Sequence, residues 1–154
     1  MLSTLVDFAN LFFAALLVGA MFAVWLIYNP AGLDAATYVA QQQHAIRTLN
    51  LPLPVLGGVT ILATLCAAAL QRGDRTKLSL LLLAAAAFVA AGLITRFLNQ
   101  PINATVITWS PGTPPDGWTD LRDAWWRWHL LRLAVGLGGL SLVIAAALKR
   151  DAAC

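Results

Sequence analysis

Arg96, Asn99, Gln100 and Asn103 recur at i, i+3, i+4 and i+7, the spacing that lines up one face of a helix. Arginine is always charged and carries five N–H donors, and an Asn or Gln amide both donates and accepts. Such a face is a fixed array of hydrogen-bonding groups. A second set, Arg122, Trp125, Trp126, His129 and Arg132, falls at i, i+3, i+4, i+7 and i+10. His129 and the chain's other histidine, His44, could act as base and acid if they share a cavity, because unperturbed imidazole titrates near neutrality.

Both sets adjoin strongly apolar sequence, and that gives them weight. The chain has 154 residues, of which 60% are hydrophobic, and its mean hydropathy is +0.75. Ionisable groups at membrane depth are costly and tend to face a protein interior. A plainer reading exists for each set. Arg96 could snorkel to headgroups, with Asn99 and Asn103 as a helix stop. An aromatic belt with anchoring arginines suits Trp118, Arg122, Arg127 and Trp128. It suits Arg132 poorly, since Arg132 lies seven residues, about 10 Å of helix rise, beyond Trp125, with an uncharged run behind it.

The elements that must position these residues follow from the charge map. Residues 8–33, 48–71, 78–95 and 133–148 contain no Asp, Glu, Lys or Arg. A bilayer span needs about 20 apolar residues. The first three runs supply that, and the fourth does so once Trp125 to Arg132 is included. The reading is all-α: a four-helix transmembrane bundle in one integral membrane domain over 1–154, with helices at about 5–28, 53–71, 77–99 and 122–148. The first span is too long for a signal peptide and has no basic stretch ahead of it, so it is expected to stay. Residues 34–48 are too polar to span and read as an extra interfacial helix capped by Asp34, with Thr37, Gln41, His44 and Thr48 on one stripe. Pro101 limits the regular part of the third helix, and Thr119 or Asp120 is the expected cap of the fourth.

An even helix count puts both termini and the 71–77 loop on one side. Arg72, Arg75, Lys77, Lys149 and Arg150 lie there, five basic residues against Arg47, Arg96, Arg122, Arg127 and Arg132, also five, on the other. If Arg96 and Arg132 face inward, the count becomes five against three. The positive-inside rule then puts the termini in the cytoplasm, as for a bacterial inner-membrane protein. Most of the unusual polar residues gather at the opposite end; Asp7, at the end that carries the termini, is left out of the site.

Other chemistries find little support. The ten basic residues include no run longer than two, so nucleic acid is not an expected partner. Cys66 and Cys154 form no CxxC. All seven acids are Asp, and no HxxxH or ExxH occurs, so no metal site is expected. Should a metal be present, His44 and His129 could hold one haem or one copper. No nucleotide-binding glycine loop appears.

The motif Arg96-x-x-Asn99-x-Pro101-x-Asn103, followed by Trp125-x-x-x-His129-x-x-Arg132, resembles the anthrone oxygenase-like membrane family. Asn29-Pro30 and the Gln/His helix of the first long loop fit it too. The resemblance implies a small four-helix membrane protein that oxidises an anthrone with O₂ and needs no cofactor. On that basis His129 or His44 is the candidate base. Arg96 and Arg132 would stabilise an enolate or phenolate, and Asn99 and Asn103 would orient its oxygens. Trp109, Trp125 and Trp126 would stack on a planar ring, with Gln41 as a further contact. The partners are then a small apolar or aromatic substrate, O₂ and the lipid bilayer. Two other functions compete with this one: a haem or metal redox protein using His44 and His129, and a non-enzymatic binder or transporter. Four helices make a thin transporter, which would have to form a homo-oligomer.

Overall fold

The computed structural model describes residues 2–149. Arg150 and Cys154, weighed above, lie outside them. Among the described residues the chain is helical, with no strand. The long helices are α1 (Leu2–Ile27), α3 (Pro52–Leu70), α4 (Arg75–Ile94) and α6 (Trp118–Leu148). Two shorter helices, α2 (Ala35–Leu49) and α5 (Gln100–Val106), lie at one end. The stretches Leu2–Gly32, Pro52–Leu70, Arg75–Val106 and Trp118–Leu148 are long and apolar enough to cross a membrane. The expected four-helix bundle is therefore present.

The helices form a ring. α1 packs on α3 and α6, and α4 packs on α3 and, most extensively, on α6. Lipid tails are as apolar as leucine, so the helices gain from close packing of small residues rather than from leaving water. Ala14, Val18, Ala84 and Phe88 meet Leu133 and Val143 in the middle of the bundle. Gly139 is required there, because a Cβ at that position would stand 2.8 Å from the Phe88 ring. Ala67, Ala68, Leu81 and Ala146 close the far end. Phe8, Ile27, Leu62 and Leu83 are exposed on the outside, as lipid-facing side chains would be.

The ends of the elements follow local chemistry. Asp34 caps α2, its Oδ1 accepting from the Thr37 amide at 3.0 Å. Asn29 accepts from the Ala31 amide, and Pro30 turns the chain after α1. The start of α6 departs from the sequence expectation. Neither Thr119 nor Asp120 is its cap; Gly117 holds that place, with φ +73 and no side-chain bond. Only glycine adopts this left-handed backbone readily, and Asp120 instead sits in the first turn, where its charge favours the helix dipole.

The third span differs too. Regular α-helix ends at Ile94, yet the chain does not stop at Asn99. Thr95–Asn99 forms a π turn, in which the Gln100 amide reaches back to the Thr95 carbonyl, and α5 continues to Val106. Pro101 has no N–H, and its ring would strike the carbonyl four residues back in a regular helix. The wider turn accommodates it.

Candidate functional site

The π turn redistributes the polar face read from the sequence. Thr95, Gln100 and Asn103 line a cavity of about 480 Å³ at the α2 end of the bundle. Asn99 is fully buried away from it, donating to the Trp125 carbonyl on α6 at 3.0 Å. Arg96 is exposed, with its guanidinium 5.8 Å from the Phe97 ring, and does not line this cavity. The surplus residue in the turn brings Gln100 and Asn103 onto this cavity, while Arg96 lines a neighbouring one with Thr95, Gln100 and Arg132.

One wall of the cavity is a chain of amides. Tyr28 Oη donates to Gln42 Oε1 at 2.8 Å. Gln42 Nε2 donates to Asn103 Oδ1 at 3.3 Å, and Trp125 Nε1 donates to the same oxygen at 2.9 Å. Asn103 Nδ2 in turn donates to Asn50 Oδ1 at 3.4 Å, and Gln100 Nε2 does so at 2.8 Å. Five separate segments are tied together. α2 is pinned independently by Gln43, whose Nε2 donates to the carbonyls of Val106, Ile107 and Trp109 past the end of α5. Tyr38, Val39 and Ile46 pack below α2 on Ile102, Val106 and Trp125. Tyr38 is fully buried and stacks on Trp118, and burial pushes its phenol up to about 12.

The same cavity carries a cation. Arg132 lines the cavity and donates from Nε and Nη2 to His129 Nδ1, at 3.2 and 3.0 Å, and from Nη1 to Thr95 Oγ1 at 3.3 Å. Its guanidinium lies 5.8 Å from the centre of the Trp125 ring. A guanidinium only donates, so His129 Nδ1 must accept, and the neutral ring carries its proton on Nε2. The His129 ring is fully buried between Trp125 and Trp126, with centroids 5.5 and 5.4 Å away. Its Nε2 has no hydrogen-bond partner among the described residues.

A family model described as anthrone oxygenase matches residues 43–142. The chain belongs to the anthrone oxygenase family. Comparison with curated proteins and with solved structures gives no match. The family match takes in Arg96 to Asn103 and Trp125 to Arg132, while Tyr28, Gln41 and Gln42 precede it.

In this anthrone oxygenase family chain the sequence candidates divide. Asn103, Trp125, Arg132, His44 and Gln41 line the cavity, the last two as exposed residues of α2. Trp126 stacks on His129, and Trp109 packs beside Val106. His129 and Asn99 stand behind the wall. Only one histidine of the two, His44, faces the cavity. No group of three or more His, Cys, Asp or Glu that could hold a metal occurs among the described residues.

Sequence reasoning missed Tyr28, Gln42, Asn50 and Thr95. Tyr28 reads as an interfacial aromatic, and Asn50 as part of an extended link. Gln42 had a signal: Tyr38, Val39, Gln42, Gln43 and Ile46 fall at i, i+1, i+4, i+5 and i+8, an inward stripe holding two amides.

Proposed function

We propose that this protein is a membrane-embedded oxygenase that takes a planar aromatic or enolisable small molecule and O₂. The observation that carries the reading is that Arg132 and the Tyr28–Gln42–Asn103 chain line one cavity, both beside the Trp125 ring. A substrate oxygen that gains negative charge would meet a fixed cation already held in place by His129 and Thr95. Asn103 and Gln42 would orient the ring oxygens, and Trp125 would supply a flat apolar surface. His44, on the rim, is the group placed to take a proton. His129 acts through Arg132, as a positioning residue.

The reaction balances without a bound cofactor. A CH₂ between two aryl rings loses a proton to His44, and its electrons spread onto the ketone oxygen opposite Arg132. The resulting anion passes one electron to O₂, and the radical pair joins as a peroxide anion. Proton return from His44 and loss of water leave the second carbonyl, so one O₂ gives one ketone oxygen and one water. The same reading keeps the protein in the bacterial inner membrane, with its termini in the cytoplasm and the cavity at the far face.

The test is oxygen uptake by the detergent-solubilised protein with anthrone, alongside metal analysis and an optical spectrum. The expected result is one O₂ consumed per anthraquinone formed, in protein free of stoichiometric metal or haem. His44→Gln should lower kcat by about 10²-fold or more, the usual weight of general base catalysis. Uptake no faster than in protein-free buffer would reject the proposal.

A further inference from the structure

A second cavity, of about 430 Å³, opens from the first toward the middle of the bundle. The two share Asn50, Leu53, Pro54, Thr95, Gln100 and Arg132, so Arg132 stands at their junction. Beyond the shared residues Arg96 also lines the second cavity, and the rest of the wall is apolar: Leu17 and Met21 of α1, Gly57 and Ile61 of α3, and Phe88 and Gly92 of α4. From Leu53 to Ile61 the wall follows α3 for eight residues, about 12 Å. Asn50, Pro54, Gly58, Gly92 and Arg96 of this lining are exposed, so the cavity is a groove open to the outside of the bundle. Its apolar wall gains dispersion contacts when hydrocarbon fills it.

We propose that the second cavity holds the apolar tail of an amphiphilic substrate whose ring occupies the first. This rests on the function proposed above and narrows it, from a bare planar ring to a ring bearing a linear hydrocarbon chain. The amides of Gln42 and Asn103 line only the first cavity, where the ring would sit, and Leu17, Met21, Ile61 and Phe88 line only the second, where the tail would run. The seam between α3 and α4 suits loading from the bilayer. Gly57, Gly58 and Gly92 lie along it, and a Cβ at each would meet nothing within 4 Å. Gly58 and Gly92 are also exposed.

Two measurements test this, and neither needs turnover. The first uses 4-decylphenol with a diazirine at the tail end, photolysed on the full chain in lipid nanodiscs and mapped by mass spectrometry. Label on Leu17, Met21, Ile61 or Phe88, competed by plain 4-decylphenol, is the expected result. Label confined to outward residues such as Leu62 and Leu83 overturns it, as does a phospholipid that stays bound and excludes the probe. The second compares the affinities of 4-decylphenol and phenol. Gly57→Leu should cut the ratio of the two by about tenfold, since one overpacked leucine costs that much or more. An unchanged ratio overturns the inference. A tailed phenol that binds through its ring but labels only the lipid face strikes the tail site alone. Failure of both phenols to bind strikes the tail site together with the function on which it rests.

Discussion

Arg132 turns two of its donors, Nε and Nη2, onto a single atom, Nδ1 of His129, at 3.2 and 3.0 Å. The ring nitrogen that would accept a proton is thereby occupied, and the ring itself lies between two indoles, away from the cavity. The pair is best understood as a cation aimed by its neighbour.

Replacing each partner should separate the two roles. Arg132→Lys loses the fork of donors and should cost about 10²-fold in kcat/KM, the scale for one anion-stabilising donor. His129→Ala should cost about 10- to 100-fold, as when a supporting group is removed. His129→Gln can still accept from Arg132 through its amide oxygen, and should recover most of that loss with the shape of the pH–rate profile unchanged. A glutamine variant as inactive as the alanine one, with the acid limb of the profile gone, would instead make His129 the base.

The phenol of Tyr38 is buried with no hydrogen-bond partner among the described residues. An unmet buried hydroxyl carries its full desolvation cost, so Tyr38→Phe should stabilise the protein by about 1 kcal/mol at pH 7. With the folded value raised to about 12, the unfolded chain ionises first as pH rises past the ordinary tyrosine value of about 10. Stability should therefore fall across that window in the wild type and fall less in the variant. Thermal unfolding in detergent at pH 7 and pH 11 measures both effects, and a variant less stable at pH 7 contradicts the assignment.

At the other end, Lys149 donates to Asp74, whose carboxylate also caps α4 through the amides of Thr76 and Lys77. The Lys149 ammonium, followed by the Lys77 amide, holds the Asp74 carboxyl below the usual carboxylate range. A depressed folded value gives stability that is complete above the unfolded value, about 3.9, and is lost as pH falls through the lower folded one. Asp74→Asn should have a lower Tm at pH 7, and the gap to wild type should close below about pH 4. A gap that stays constant from pH 7 to pH 3 would remove the ion pair from the account.

The spans were legible because charge-free runs of the right length have few other uses, and Arg132 stood out by its depth past Trp125. The helix of 35–49 was legible through Asp34, since a cap is a local device. The amide chain was not. Gln42 and Asn103 are 61 residues apart in sequence, and nothing near either one signals the other. The placement of Arg96, exposed and on the second cavity rather than the first, was not legible for a different reason. Counting by 3.6 residues per turn assumes an unbroken α-helix, and the turn at 95–99 does not keep that count.

That turn works as a phase shift. In an unbroken helix the bearing that follows Thr95 inward would pass through Asn99 and Ile102. With one residue more in the turn, Gln100 takes the bearing of Asn99, and Asn103 takes that of Ile102. A slip of a single position thus exchanges an isoleucine for the amide at the centre of the network, with composition unchanged. Among relatives, an insertion or deletion near residue 96 would alter the ligand more than most substitutions in the cavity wall.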